Sequence, residues 1–222
     1  MNSAPGTAFS PLRRRMAMAL PLLGCVPWVS ATAAARSPLR ASRPLMGTQI
    51  DVVVDGVEAP LAHQAMDQAF AEMARLEALL SRYRPDSVVS RINRAAGIQP
   101  VVVPPEVMRA LQAAQQMHAF SGGAFDITVG SLKGWRFEAG QQAAPSASQI
   151  ARQLRRVDAR RLVLDEKAGT AFLAEQGMAL DLGGIAKLPI LEAGMQVLRS
   201  QGVENAMLNG GGDVLTQGLW QG

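Results

Sequence analysis

The sequence predicts a mixed α/β fold in which antiparallel sheet packs against helices. Three observations predict it. Within residues 61–80, Ala62, Met66, Ala69, Phe70, Met73, Leu76 and Leu80 recur at three- and four-residue steps, which is one face of a long helix. Residues 162–164 and 170–173 are short apolar runs around Glu166-Lys-Ala-Gly169, the pattern of a β-hairpin. Helical and strand patterns follow one another without a regular βαβ period.

The elements follow in order. Residues 36–44 hold Ser, Pro and Arg and read as a linker, and 49–54 alternate enough for a strand. The long helix ends over 81–85. A second helix starts at Pro104-Pro105-Glu106, with proline and an acid early. Val107, Leu111, Ala114 and Met117 form its apolar face, and Gly122-Gly123 stops it. Residues 125–129 read as a strand and 141–148 as a polar loop. Ser146 and Gln149 have capping-box spacing for a helix carrying Ile150, Leu154 and Val157. After the hairpin, 178–182 read as a strand and 188–201 as a helix ended by Gly202. Residues 206–208 and 214–216 read as strands joined by a triple glycine.

The first 35 residues differ in kind. Arg13, Arg14 and Arg15 precede a 14-residue apolar run from Met16 to Val29. A membrane-spanning helix needs about 20 residues, so the run fits an export signal better. Two processing routes stay open. Leu22-Leu23-Gly24-Cys25 looks like a lipobox that would acylate Cys25, and Ala31-Thr-Ala33 offers plain cleavage. The expectation is an exported protein, periplasmic or anchored to the inner membrane as a lipoprotein. Without those residues the charge is 22 − 3 = 19 basic against 18 acidic, so the basic balance gives no support to nucleic-acid binding. Cys25 is the only cysteine, which excludes an intrachain disulfide.

The segment from Met178 to Lys187, MALDLGGIAK, carries the most chemical information. Gly183 and Gly184 let backbone amides approach a ligand, and Lys187 places a cation where a helix begins. An anionic, nucleotide-like ligand suits this arrangement, although Walker A spacing is absent. Two other stretches matter as motifs: Met46-Gly47-Thr48, and Ser81-Arg-Tyr83-Arg-Pro-Asp-Ser87 running on to Asn93. So do Gly123-Ala-Phe-Asp126-Ile-Thr128-Val-Gly130 and Asn209-Gly-Gly-Gly-Asp213.

In this order and spacing, the motifs resemble the ApbE family, the FAD:protein FMN transferases. The resemblance runs from Pro44 to the last residue, so 45–222 is expected to be an ApbE-like flavin transferase domain. It implies a reaction that moves FMN from FAD to a threonine hydroxyl of a partner protein and releases AMP, with Mg²⁺ assisting. The implied partner is an acceptor flavoprotein subunit of a membrane redox complex. Such a site needs charge to hold phosphates, a hard oxygen-ligated cation, and a base for the hydroxyl.

Lys187 matches the family lysine and is the expected phosphate contact, with a solvated helix-start lysine as the plainer reading. Met46, Tyr83, Asp126, Thr128, Gly183, Gly184 and Asn209 are the other expected flavin contacts. Each has a structural alternative, from core packing for Met46 to turn capping for Asn209. The resemblance maps one metal ligand, a backbone carbonyl, to Ala186. The family's remaining ligands lie in a later D-x-x-x-T segment, and Gly222 comes before it. The expectation is therefore the N-terminal two-thirds of a domain, incomplete at its C-terminus. After Lys187 the family continues Gly-Tyr-Ala-x-Asp, whereas this chain has Leu188, Pro189, Ile190, Leu191 and Glu192. Glu192 keeps a carboxylate there and is the candidate base. A non-catalytic FAD-binding or assembly protein is the rival reading. His63 and His118 lack the spacing of a zinc pair, and no G-x-S-x-G elbow occurs.

Overall fold

The computed structural model describes residues 37–134 and 144–219. The arginine cluster, the apolar run and Cys25 lie outside the described residues, as do 141–143 of the expected polar loop. Among the described residues, no helix is long and apolar enough to cross a membrane.

Among the described residues, two antiparallel sheets and five α-helices make the mixed α/β fold that the sequence predicts. The larger sheet has the order β1-β2-β6-β7, from β1 (Leu39–Leu45), β2 (Thr48–Asp55), β6 (Asn205–Gly210) and β7 (Asp213–Gln217). The smaller has the order β3-β5-β4, from β3 (Val101–Val102), β4 (Leu162–Asp165) and β5 (Thr170–Leu173). The expected hairpin is present, with Leu162 opposite Leu173 and Asp165 opposite Thr170.

The helices are α1 (Ala59–Leu80), α2 (Val88–Arg94), α3 (Pro105–Phe120), α4 (Ala147–Leu154) and α5 (Lys187–Ser200). All seven apolar positions expected on α1 are buried. They meet Ile50, Val52 and Val54 of β2, Leu208 of β6, and Leu191, Met195 and Leu198 of α5 in one core. Helices α1 and α5 cross closely at Gly194, where an added Cβ would stand 2.8 Å from the Met73 sulfur and 3.2 Å from Leu208. The Ser146–Gln149 capping box opens α4.

Five expectations need correction, the first being that Val157 belongs to α4, which ends at Leu154, and one helix was not foreseen. The segment read as a linker is mostly β1, paired along its length with β2. Pro44 is tolerated because β1 is an edge strand, where a missing N–H need not break a ladder. Arg43 fixes this strand to α1, with its guanidinium 4.6 Å from the Phe70 ring centroid and 2.5 Å from Asp67. Residues 125–129 are not a strand. Asp126 accepts the Thr128 N–H and caps a 3-10 turn at Ile127–Ser131 instead. Residues 178–182 are not a strand: they join no ladder, and Ser131, Asn93 and the Ile127 carbonyl take up their backbone groups. Helix α2 was not foreseen; it starts where Ser87 accepts the Ser90 N–H. Met117 is 42 % exposed, at the margin of the α3 face rather than within it.

Candidate functional site

Three stretches far apart in sequence meet in one cleft. The first is the two-residue turn between β1 and β2. Met46 and Gly47 have φ of 53° and 70°, and the Met46 N–H donates to the Glu77 carboxylate at 2.8 Å. The second is the end of α1 and its following loop, which supply Glu77, Leu80, Ser81, Arg82 and Tyr83. The third runs from Asp181 through the glycine turn to Lys187 and Ile190 at the start of α5. Leu80, Leu182 and Ile190 make an apolar floor, and charged groups occupy the rim. That division suits a ligand with a flat apolar part and a charged part.

The rim is wired by ion pairs. Arg82 donates to Asp181 at 2.7 Å, with both side chains about a quarter exposed. The other Asp181 oxygen accepts the Gly183 N–H at 2.9 Å, which shapes the turn. Lys187 stands 3.5 Å from Asp213, which lies just past the β6–β7 turn. The Arg82 guanidinium lies 5.5 Å from the Tyr83 ring centroid, and Tyr83 itself is 85 % exposed. That ring is an open face on which a planar group can stack.

The cleft gathers five of the expected residues: Met46, Tyr83, Gly183, Ala186 and Lys187. Gly184 is exposed and is not among the cleft-lining residues; a Cβ there would stand 3.2 Å from the Phe125 ring. Asp126 and Thr128 are not among the cleft-lining residues. Asp126 accepts N–H groups from Thr128 and Ala159, and the Thr128 hydroxyl oxygen accepts the Asp158 N–H at 2.8 Å. These bonds fasten the 3-10 turn to the chain ahead of β4. Asn209 accepts the Gly212 N–H at 3.0 Å and caps the β6–β7 turn, its plainer alternative. Glu192 is exposed and does not line the cleft. It follows Ile190 by two residues, about 200° around the helix, so it points away from the floor that Ile190 forms.

Glu77, Arg82 and Asp181 line the cleft although sequence reasoning did not select them. Arg82 and Asp181 sit inside two of the motifs, so the signal was available. Glu77 carries no motif, and its role depends on a turn 31 residues upstream.

Magnesium fits this set poorly. Among the described residues, no group of three or more His, Cys, Asp or Glu side chains can hold a metal ion. The Ala186 carbonyl is one oxygen, and it already accepts the Ile190 N–H at 3.2 Å. Mg²⁺ requires near-octahedral oxygen coordination.

The cleft begins at Met46, and so does the match to a family model described as the ApbE family, which covers residues 46–222. This chain belongs to the ApbE family. FAD:protein FMN transferases from Klebsiella pneumoniae and Treponema pallidum are 36% and 33% identical to it, over 79% and 72% of its length. Those matches cover 55% and 46% of the two relatives, so the chain spans about half the length of the curated proteins it matches. Among solved structures, the ApbE protein of Thermotoga maritima superposes with a TM-score of 0.73 at 27% identity, over 81% of this chain and 59% of that one. The flavin transferase ApbE of Vibrio cholerae gives 0.71 at 25% identity, over 82% and 60%. The chain therefore shares the ApbE fold over about four-fifths of its length.

Proposed function

We propose that this chain acts in transferring FMN from FAD to a threonine hydroxyl of a partner protein. The threonine oxygen bonds to the FMN phosphorus, the pyrophosphate P–O bond breaks, AMP leaves with the bridging oxygen, and the hydroxyl proton passes to solvent. One observation carries the reading. The cleft brings an apolar floor, an exposed aromatic ring and two cations together from segments within the range that the family model matches. The floor and the Tyr83 ring take the planar flavin. Lys187 exchanges Asp213 for a phosphate oxygen, and Arg82 braces the opposite wall through Asp181.

Magnesium dependence belongs to the proposal as an expectation from the family. Ala186 is the only ligand mapped onto this chain, so no step here runs through the metal. The acceptor is proposed to be a flavoprotein subunit of a membrane redox complex. An exported location, with or without a lipid on Cys25, would place the chain beside it.

Incubation with FAD, Mg²⁺ and an acceptor domain presenting a threonine tests the reading. Intact mass spectrometry should find FMN on the acceptor, with AMP released in equal amount. Leu188-Pro189 in place of the family's Gly-Tyr after Lys187 favours a second reading, a flavin-binding protein without catalysis. Tight FAD binding with no adduct would decide for that reading.

A further inference from the structure

The cleft wall that carries Asp181, Gly183 and Lys187 begins in a buried segment outside both sheets, with an unusual support. Met178, Leu180 and Leu182 are almost wholly buried, yet residues 178–182 have no strand on either side. Buried backbone groups need partners, and here they find them one at a time. The Ala179 N–H donates to the Ser131 hydroxyl at 3.0 Å, and the Asp181 N–H to the Ile127 carbonyl at 2.7 Å. Leu180 lies between them, and both its backbone groups meet a single side chain. Its N–H donates to Asn93 Oδ1 at 2.7 Å, and its carbonyl accepts from Asn93 Nδ2 at 3.1 Å.

A primary amide is the side-chain group that offers a donor and an acceptor in one plane. Asn93 thus does for Leu180 what a neighbouring strand does for a residue in a ladder. The same short helix reaches the other wall. Ser90 of α2, one turn earlier, donates to the Arg82 carbonyl at 3.1 Å. Helix α2 therefore touches both walls, Arg82–Tyr83 through Ser90 and Leu180–Asp181 through Asn93. Arg82 and Asp181 then close on each other.

We propose that Asn93 is a positioning residue for the flavin cleft, a one-residue strand substitute that sets the height of the Asp181–Lys187 turn without touching ligand. The idea rests on the FMN-transfer reading for its functional consequence, and on the hydrogen bonds alone for its structural part. Asn93→Asp keeps the acceptor for the Leu180 N–H but turns a second acceptor toward the Leu180 carbonyl. Asn93→Leu has nearly the same shape and keeps neither bond.

The test follows amide exchange by mass spectrometry in the wild-type chain and both variants, with peptides from β6 as reference. Initial rates of FMN transfer are measured with FAD and acceptor varied separately. Exchange should quicken over residues 180–187 in both variants and stay at the wild-type rate in β6. The KM for FAD should rise on the order of tenfold, the scale on which groups that orient a binding residue act. The KM for acceptor should stay unchanged. A folded Asn93→Asp protein with wild-type exchange and wild-type KM for FAD overturns the proposal. So does exchange that quickens equally in β6, which would make Asn93 a general packing residue. If Asn93→Leu does not fold, Asn93→Asp decides alone. A wild-type chain that transfers no FMN sinks the transferase reading only, and the exchange pattern over 180–187 still decides the role of Asn93.

Discussion

β6 and residues 178–182 look alike in sequence and differ in how they are held. Each is a short apolar run that leads into a glycine turn, and each is buried in the same core. β6 lies between β2 and β7, and ladders on both sides satisfy its backbone. Residues 178–182 have no ladder and rely on Ser131, Asn93 and the Ile127 carbonyl. A ladder spreads support over many residues, so a side-chain change within it acts mainly through packing. Support from individual groups concentrates it, so single substitutions can move one wall of the cleft.

The largest expected effect falls on the ladder side. Leu208 of β6 is fully buried, and Leu208→Ala should lower stability by about 3 kcal/mol in urea unfolding, through lost transfer energy and a residual cavity. FAD affinity of the folded fraction should not change. A parallel loss of affinity would mean that the sheet and the cleft are not separable.

Gly130→Ala addresses the other region. An added Cβ would lie 2.6 Å from the Ala179 carbonyl oxygen and equally near the Leu180 carbonyl carbon, all of it backbone that has no flexible end to swing aside. The variant should lose about 2 kcal/mol by overpacking. Unlike Leu208→Ala, it should weaken FAD binding, because the strain falls on the segment that leads to Asp181. Calorimetric titration of the two variants side by side separates the outcomes, and equal FAD affinity would erase the distinction drawn here.

A smaller effect isolates charge from shape. Lys187→Ala should weaken FAD binding about tenfold, equivalent to ~1.4 kcal/mol, with little change in thermal stability, since its partner Asp213 is 45 % exposed. Asp213→Asn should do the reverse and strengthen binding, because the lysine then has no carboxylate to leave. Opposite signs in fluorescence titrations are the expected result, and equal signs would count against a phosphate contact.

The smallest effect lies away from both regions. The hydrogen bond from Arg75 holds the Glu72 carboxyl below its ordinary value of 4.5. A depressed carboxylate contributes stability that is present above that value and lost as pH falls through the folded one. Arg75 is half exposed and also binds Glu106, so solvent screening keeps the contribution under ~1 kcal/mol. Unfolding midpoints compared at pH 7 and pH 3 should fall slightly less for Glu72→Gln than for wild type.

The sequence made some of this legible and hid the rest for physical reasons. The α1 face, the β4–β5 hairpin and the α4 capping box depend on local periodicity and local caps, and all three were readable. The segment 178–182 reads as a strand in the sequence and is not one, because Leu180 pairs with a side chain 87 residues away. Asp126 and Thr128 were expected as ligand groups because their segment resembles a family motif, with hydrogen-bond organisation as the alternative. Only the fold reveals that the backbone at Ala159 and Asp158 already binds their oxygens. Glu192 was chosen by alignment with a family acid, but helix phase turns it outward. Arg82 and Asp181 were visible within motifs, yet nothing local indicates that they pair across the cleft.

The β1–β2 turn has one further consequence. Two-residue turns with positive φ at both positions favour Asn-Gly, since a side chain at such φ is strained by roughly 1 kcal/mol unless it is small and polar. This chain puts methionine there, at φ 53°, and aims it into the cleft. The side chain also packs against the core, so packing holds the strained turn in place. Met46→Asn relieves the turn but gives up that packing, so the melting temperature should stay near that of wild type while flavin binding weakens. At this corner a thermostability screen would be blind to a change that a binding assay would catch.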